Sequence, residues 1–103
     1  MPNDNSKASN ITIYNTTMVL ADTEYSKAIT DSAKKIIVSV IDGNDGFNYR
    51  LAFASGHVAV PAAPYLQYYA HNEKIFDGVE LAGQTLYFAC SIAGQVLQIE
   101  EYT

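Results

Sequence analysis

The stretch that decides the fold is DGVELAGQTLYFACSIAGQVLQIEEY, residues 77–102. It predicts two strands, Thr85–Cys90 and Gln95–Tyr102, because two short runs rich in apolar residues lie between turn signals. The segment 91–94 contains a glycine and predicts the turn that joins the strands. A second turn is predicted at residues 82–84, since Gly83 can adopt the positive φ angles of tight turns.

Further upstream, the run KKIIVSVID within Lys34–Asp42 predicts an inner strand, because a nearly continuous β-branched run is typical of a strand covered on both faces. A turn is expected at Asp42–Gly46, and the next strand at Phe47–Ala54. The whole segment Lys34–Ala54 is therefore predicted to be a hairpin. The apolar face of its second strand would consist of Phe47, Tyr49, Leu51 and Phe53.

Similar short segments extend back to about residue 10. The remaining strand candidates are Asn10–Asn15, Thr23–Thr30, Tyr65–His71 and Glu73–Phe76, the last of which precedes a turn at Asp77–Gly78. Met18–Ala21 is either a second short strand or a continuation of the first past a bend. About eight short strands at spacings near ten residues predict an all-β protein, either an antiparallel β-sandwich or a small jelly-roll-like barrel. An alternative with two hairpins and a short helix around Tyr25–Ala33 stays open.

Length and composition indicate one domain that depends on contacts with other chains. The 103 residues predict a flexible polar arm over 1–9 and a single β-sandwich domain over 10–103. Charged residues make up 17%, below the roughly 25% of an average soluble domain. Part of the surface is therefore expected to be buried against a partner. The net charge of −5 argues against nucleic acid, which requires clustered Lys and Arg.

The sequence also bears on compartment and redox chemistry. No window approaches the ~18 apolar residues of a membrane span, and the polar residues 1–10 lack the apolar core of a secretion signal. We therefore expect synthesis in a cytoplasm and no membrane partner. Cys90 is the only cysteine and lies in an apolar strand, which predicts a buried, unreactive thiol.

No motif for catalysis or metal binding is complete. Asp42–Gly46 resembles the start of a calcium loop, but the fifth position is Gly46 and the twelfth is Phe53, where ligands are required. His57, His71 and Cys90 are too isolated for a zinc site. The nucleophile-elbow pattern is absent. The sequence predicts no catalytic residue, no cofactor and no metal, and hence a protein that is not an enzyme.

The aromatic segment YLQYYAH contains the best candidates for partner binding: Tyr65, Tyr68, Tyr69 and His71. Tyrosine offers a large contact area with a polar end and is enriched in interfaces. The competing interpretation is structural, with Tyr65 and Tyr69 packed inward and Leu66 and Tyr68 on the other face of the sheet. Stacking on sugar rings is a further alternative, weakened by the absence of Trp. Asn10, at the end of the polar arm, completes the candidate set.

An ordered set of segments resembles a small structural protein that recurs in tailed bacteriophages. The segments are DTEYS at 22–26, KKIIV at 34–38, RLAFASG at 50–56, DGVEL at 77–81 and GQTLYF at 83–88. The likeness spans about residues 20–103, and the polar arm departs from it.

The resemblance implies a virion protein with an antiparallel β-sandwich and no catalysis. In its most specific form it implies a capsid decoration, or cement, protein that sits as a homotrimer on the outer capsid surface. Its partner would be the major capsid protein, whose neighbouring subunits it ties together. The alternative is a receptor- or glycan-binding tip module of a tail fibre.

Overall fold

The described residues form only β-strands and their connections. The computed structural model describes residues 10–41, 47–69, 72–77 and 81–103. Their strands are β1 (Ile11–Met18), β2 (Tyr25–Ala28), β3 (Lys35–Ile41), β4 (Asn48–Ala52), β5 (Leu66–Tyr69), β6 (Lys74–Asp77), β7 (Thr85–Cys90) and β8 (Gln95–Tyr102). The predicted arm 1–9, the turn 42–46 and His71 lie outside the described residues, as does Gly78 of the Asp77–Gly78 turn.

The strands form two four-stranded antiparallel sheets. Sheet A has the order β1-β8-β3-β6, and sheet B has the order β2-β7-β4-β5. The pairs β1–β8, β2–β7, β3–β6 and β4–β5 are nested, as if one long hairpin had been rolled up. The pairs β3–β8 and β4–β7 complete the two sheets. This is the order of a double-sheet jelly roll.

The predicted all-β class and β-sandwich are thus confirmed. The barrel form of that prediction is wrong, because the sheets stay separate and each ends in two edge strands. The alternative with a helix around Tyr25–Ala33 is also wrong. Tyr25–Ala28 is a strand that pairs with Thr85–Phe88 of β7, where its Tyr25 ring stacks on Phe88.

The core lies between the sheets and is built by period-two alternation. In β3 every second residue is buried, and the residues between are half-buried, so only the inner face is fully covered. The prediction that both faces of this strand are covered is therefore only half right. The largest buried apolar side chains are Tyr49, Phe88, Met18, Ile36, Leu51, Leu86, Leu97 and Ile99.

The predicted hairpin at Lys34–Ala54 is wrong. Strand β3 pairs with β6 and β8 in sheet A, whereas β4 pairs with β5 and β7 in sheet B. The chain crosses from one sheet to the other between the two strands. A turn-forming sequence looks the same whether it joins neighbours in a sheet or strands of opposite sheets, so local sequence did not reveal this.

The two strands of the deciding stretch have the predicted bounds, Thr85–Cys90 and Gln95–Tyr102. The turn between them carries the chain from sheet B to sheet A, with Gly94 at a φ of 84°. The turn at 82–84 likewise has Gly83 at a φ of 77°, a conformation that side chains with a Cβ rarely adopt.

Two predicted strands end at different residues in the structure. The first strand continues to Met18 and then ends, so Met18–Ala21 is not a separate strand. Strand β4 ends at Ala52, and Phe53 is 37% exposed rather than part of the inner core. Its ring meets Phe76 edge-on, at 5.2 Å between centroids. Residues 10–41, 47–69, 72–77 and 81–103 include no helix that could cross a membrane.

Candidate interaction surfaces

The outer face of sheet A carries exposed isoleucines from three strands. Cross-strand register places Ile13, Glu100, Ile37 and Ile75 in one row across all four strands. Ile11 lies on the same face of β1, two residues from Ile13. Ile11 and Ile13 are 59% and 58% exposed, Ile75 is 47% exposed, and Ile37 is half-buried. We call Ile11, Ile13, Ile37 and Ile75 the isoleucine face.

A polar group lies in the middle of the isoleucine face. The Tyr102 hydroxyl donates a hydrogen bond of 2.8 Å to Oε2 of Glu100. That bond raises the pKa of Tyr102 above its ordinary value, because it is made only by the protonated hydroxyl. The Lys35 ammonium lies 4.5 Å from the centre of the Tyr102 ring. The face therefore combines apolar contact area with an oriented hydroxyl oxygen, a carboxylate acceptor and a cation.

The outer face of sheet B is covered by the chain itself. The connection between β4 and β5, residues 53–65, folds back over this face. Val58 from the connection is fully buried, where it packs with Ala52 and Ala89 of the sheet. Tyr65 and Tyr87 border this small second cluster. Ala52 and Ala89 on this face are thus already covered, while Val60 of the connection and Tyr69 of β5 stay exposed.

Arg50 holds this connection in place. Its side chain projects from β4 to the outer face and is only 5% exposed. Its Nε donates a 2.6 Å hydrogen bond to the carbonyl of Val58, and its Nη2 lies 2.7 Å from Oδ1 of Asp22. Asp22 has a φ of 49° and its N–H binds the carbonyl of Cys90 at 2.8 Å. A buried guanidinium is stable only with such partners.

Two further contacts fix the connection. The Glu24 carboxylate accepts a hydrogen bond of 3.0 Å from the Ser55 hydroxyl and one of 2.8 Å from the N–H of Gly56. His57 binds Ala62 twice: its carbonyl accepts the Ala62 N–H at 3.1 Å, and its Nδ1 lies 2.7 Å from the Ala62 carbonyl. His57 therefore has a structural role.

A shallow apolar groove opens where the connection leaves β4 and joins β5. Its cavity volume is about 350 Å³. The lining residues are Leu51, Ala52, Phe53, Ala54, Pro64, Tyr65 and Leu66. The Tyr65 hydroxyl is the one polar side-chain group among them, so the groove offers few hydrogen bonds to a sugar. Apolar side chains fit its lining better than a glycan does.

The predicted tyrosine candidates have three different environments. Tyr65 is half-buried against the second cluster and lines the groove. Tyr68 points inward, where its ring lies 6.0 Å from Tyr49. Tyr69 points outward and is 61% exposed. The competing structural interpretation was wrong about direction, since Tyr68 faces the core and Tyr69 does not.

The structure separates the other candidates from these tyrosines. Asn10 precedes β1 and forms a reciprocal pair of backbone hydrogen bonds with Thr103, at 3.1 and 2.9 Å. Strand β1 lies at one edge of the sandwich, facing β2, as the contact of Lys27 with the Tyr14 ring shows. Strands β5 and β6 lie at the other edge, where Lys74 approaches Tyr68. Asn10 and the tyrosines therefore do not form one site, and His71 lies outside the described residues.

Among the described residues, the interior contains one carboxylate that sequence alone did not single out. Glu101 on β8 points into the sandwich and is fully buried. Its Oε2 lies 3.9 Å from the Lys27 ammonium and accepts a hydrogen bond of 3.3 Å from the N–H of Thr30. Its Oε1 has no hydrogen-bond partner in the described part of the chain. The strict alternation of β8 could have placed this residue on the inner face.

The buried position predicted for Cys90 is confirmed. Burial raises the pKa of its thiol, because the thiolate would lose its hydration. In the ranges that the structure describes, no three His, Cys, Asp or Glu side chains cluster as a metal site would require.

Comparison with known proteins adds no relative. No protein-family model matches the chain, and no curated protein or solved structure matches it.

Proposed function

We propose that this chain is a non-enzymatic virion protein of a tailed bacteriophage, a capsid decoration protein that binds the outer surface of the shell. It would stabilise contacts between neighbouring subunits of the major capsid protein. The observation that carries this proposal is the difference between the outer faces of the sandwich. Sheet B is covered by its own connection, whereas sheet A presents the isoleucine face.

The composition of the isoleucine face suits adhesion to a protein. Large exposed apolar patches rimmed by polar groups mark interaction sites in soluble proteins. The Tyr102–Glu100 hydrogen bond and the Lys35 ammonium supply polar contacts that can orient a partner. A rigid antiparallel sheet also presents these side chains in a fixed array, which reduces the entropy lost on binding.

Charge and assembly are consistent with the same role. The net charge of −5 keeps free copies soluble before they dock. Several weak contacts made by one oligomer add as avidity, so a small sandwich can hold adjacent capsid subunits together. The resemblance of residues 20–103 to phage structural proteins supplies the partner, the major capsid protein, and the location, the outer capsid surface.

A binding assay on assembled shells tests this function. Purified protein is mixed with empty shells of the major capsid protein from the same phage genome, and the pelleted fraction is measured. We expect saturable binding. Ile75→Lys places an unpaired charge in the contact and should weaken binding at least about tenfold, equivalent to about 1.4 kcal/mol. Ser26→Lys, on the outer face of sheet B, is the matched control and should bind like the parent chain.

Two results would overturn the proposal. One is failure of the folded parent protein to bind shells at any concentration tested. The other is a copy number of only a few to a few dozen per virion, which would place the protein on a tail fibre. Equal weakening by Ile75→Lys and Ser26→Lys would instead reject the isoleucine face as the contact surface.

A further inference from the structure

The edge strand β1 differs from the other three edge strands. Strands β2, β5 and β6 each contain four residues, whereas β1 contains eight. Its pairing with β8 runs without interruption from Ile11–Tyr102 to Met18–Gln95, so no bulge bends this edge away. It is a long, regular edge of the kind that can accept another strand.

The hydrogen-bond pattern shows which backbone groups point outward. Asn10 and Thr103 exchange both of their backbone hydrogen bonds. In an antiparallel pair such exchanges recur at every second residue, so the even-numbered residues of β1 bond to β8. The odd-numbered residues direct their N–H and C=O groups to the other side, where none of the described strands pairs with them. These residues are Ile11, Ile13, Asn15 and Thr17.

The side chains of β1 lack the usual protection of an exposed edge. Natural edge strands are blunted by Lys, Pro or other charged residues. The sequence of β1, ITIYNTTM, contains no charged residue and no proline. By contrast, β2 contains Lys27, and β6 contains Lys74 and Asp77. Length, regularity and lack of charge therefore coincide on one strand.

We propose that β1 pairs antiparallel with β1 of a second copy of this chain across a two-fold axis. The two copies of sheet A then form one continuous eight-stranded sheet. An antiparallel self-pairing of identical strands closes after two copies and leaves neither β1 edge exposed. The protein's net charge of −5 opposes most contacts between copies, but the uncharged β1 brings no like charges together.

Register is compatible with this arrangement. When two copies of β1 pair with their outward-pointing groups, odd-numbered residues of one copy face odd-numbered residues of the other. Ile11 and Ile13 of both copies then lie on one face of the joint sheet. The isoleucine faces of the two copies become one surface twice as wide. The self-pairing stands independently of capsid binding, but it would give a capsid-binding protein two linked contact surfaces.

The first test is the mass of the full chain in solution, measured by light scattering or sedimentation over a range of concentrations. We expect twice the 11.3 kDa of one chain. A mass of one chain at high micromolar concentration, or of three chains, would overturn the inference. Three chains would match the homotrimer that the phage resemblance implies.

The second test is Ile13→Pro. It removes an N–H that points away from β8, so the β1–β8 hydrogen bonds of the monomer stay intact. We expect the dimer dissociation constant to rise at least about tenfold while circular dichroism shows a folded sandwich. Ile13→Thr keeps the N–H and is the matched control. It should raise the dimer dissociation constant clearly less than Ile13→Pro does. An unchanged dimer with Ile13→Pro would contradict the proposed pairing.

A third measurement needs no substitution and therefore does not depend on the folding of a variant. Amide hydrogen exchange of the parent chain is compared at high and low concentration. The N–H groups of Ile13, Asn15 and Thr17 should be protected at high concentration and exchange much faster on dilution. Those of Thr12, Tyr14 and Thr16, which bond to β8, should stay protected. Fast exchange of Ile13, Asn15 and Thr17 at every concentration would overturn the inference, and shell binding could still occur.

Discussion

The two sheets have similar inner faces but opposite outer faces. Both contribute alternating apolar residues to one core. On the outside, sheet B is covered by residues 53–65, with Val58 buried and Arg50 bonded to the covering segment. Sheet A exposes the isoleucine face. The difference teaches that a sandwich of this size can cover the outer face of one sheet with its own chain and leave apolar side chains exposed on the other.

The largest effect should come from removing the Arg50 side chain, which holds residues 53–65 against sheet B. Arg50→Ala leaves the carbonyl of Val58 without its buried donor and Asp22 without its partner. Leaving a buried carbonyl without its donor costs about 1–3 kcal/mol, and the lost packing of the buried Arg50 side chain adds to this, so we expect a total loss of about 3 kcal/mol. Asp22 contributes little, because its side chain is 56% exposed. Urea unfolding measures the change. Arg50→Lys should recover part of the loss. A loss below about 1 kcal/mol for Arg50→Ala would show that the Arg50 contacts do not stabilise the fold.

The next comparison truncates one apolar side chain on each outer face. Val58→Ala removes buried contacts with Ala52 and Ala89, and should lower the free energy of unfolding by about 2 kcal/mol. Ile13→Ala removes an exposed side chain, so it should change the free energy of unfolding of the monomer by less than about 0.5 kcal/mol. Thermal unfolding at low protein concentration measures both. Equal losses of stability for Val58→Ala and Ile13→Ala would contradict the difference in burial between the two outer faces.

The last comparison concerns reactivity rather than the free energy of unfolding. Cys90 is buried, and burial raises the pKa of its thiol, so the native protein should react with a thiol reagent only through rare opening. We expect labelling to be at least about a hundredfold slower than in urea-unfolded protein. Arg50→Ala should accelerate it, because Arg50 holds Asp22, whose N–H binds the Cys90 carbonyl. Labelling of the native parent chain at the unfolded rate would contradict the burial of this thiol.

Sequence predicted the strands better than their partners. The apolar runs and the glycine-containing turns placed Thr85–Cys90 and Gln95–Tyr102 at their observed bounds. The hairpin at Lys34–Ala54 was wrong because the jelly-roll pairs join residues far apart in the chain. The pair Ile11–Tyr102, for example, spans nearly the whole described sequence. Turn composition carries no information about such distant partners.

Candidate surface residues were harder to predict for a related reason. Period-two alternation puts Ile11 and Ile13 on one face of β1, and apolar character alone would put that face inside. In the structure they face outward, whereas Tyr14 on the opposite face packs against the core. Alternation along β4 likewise puts Arg50 on the face opposite Tyr49, but the burial of Arg50 depends on the connection 53–65, which folds back over that face. Burial of this kind follows from tertiary structure, not from alternation.

Cryo-electron microscopy of the intact virion tests the central claim most directly. The account predicts density for this sandwich in many copies on the outer shell, with the isoleucine face of sheet A against major capsid subunits and residues 53–65 of sheet B facing away. A virion whose shell lacks this density, or one in which sheet B makes the contact and the isoleucine face is left in solvent, would contradict it.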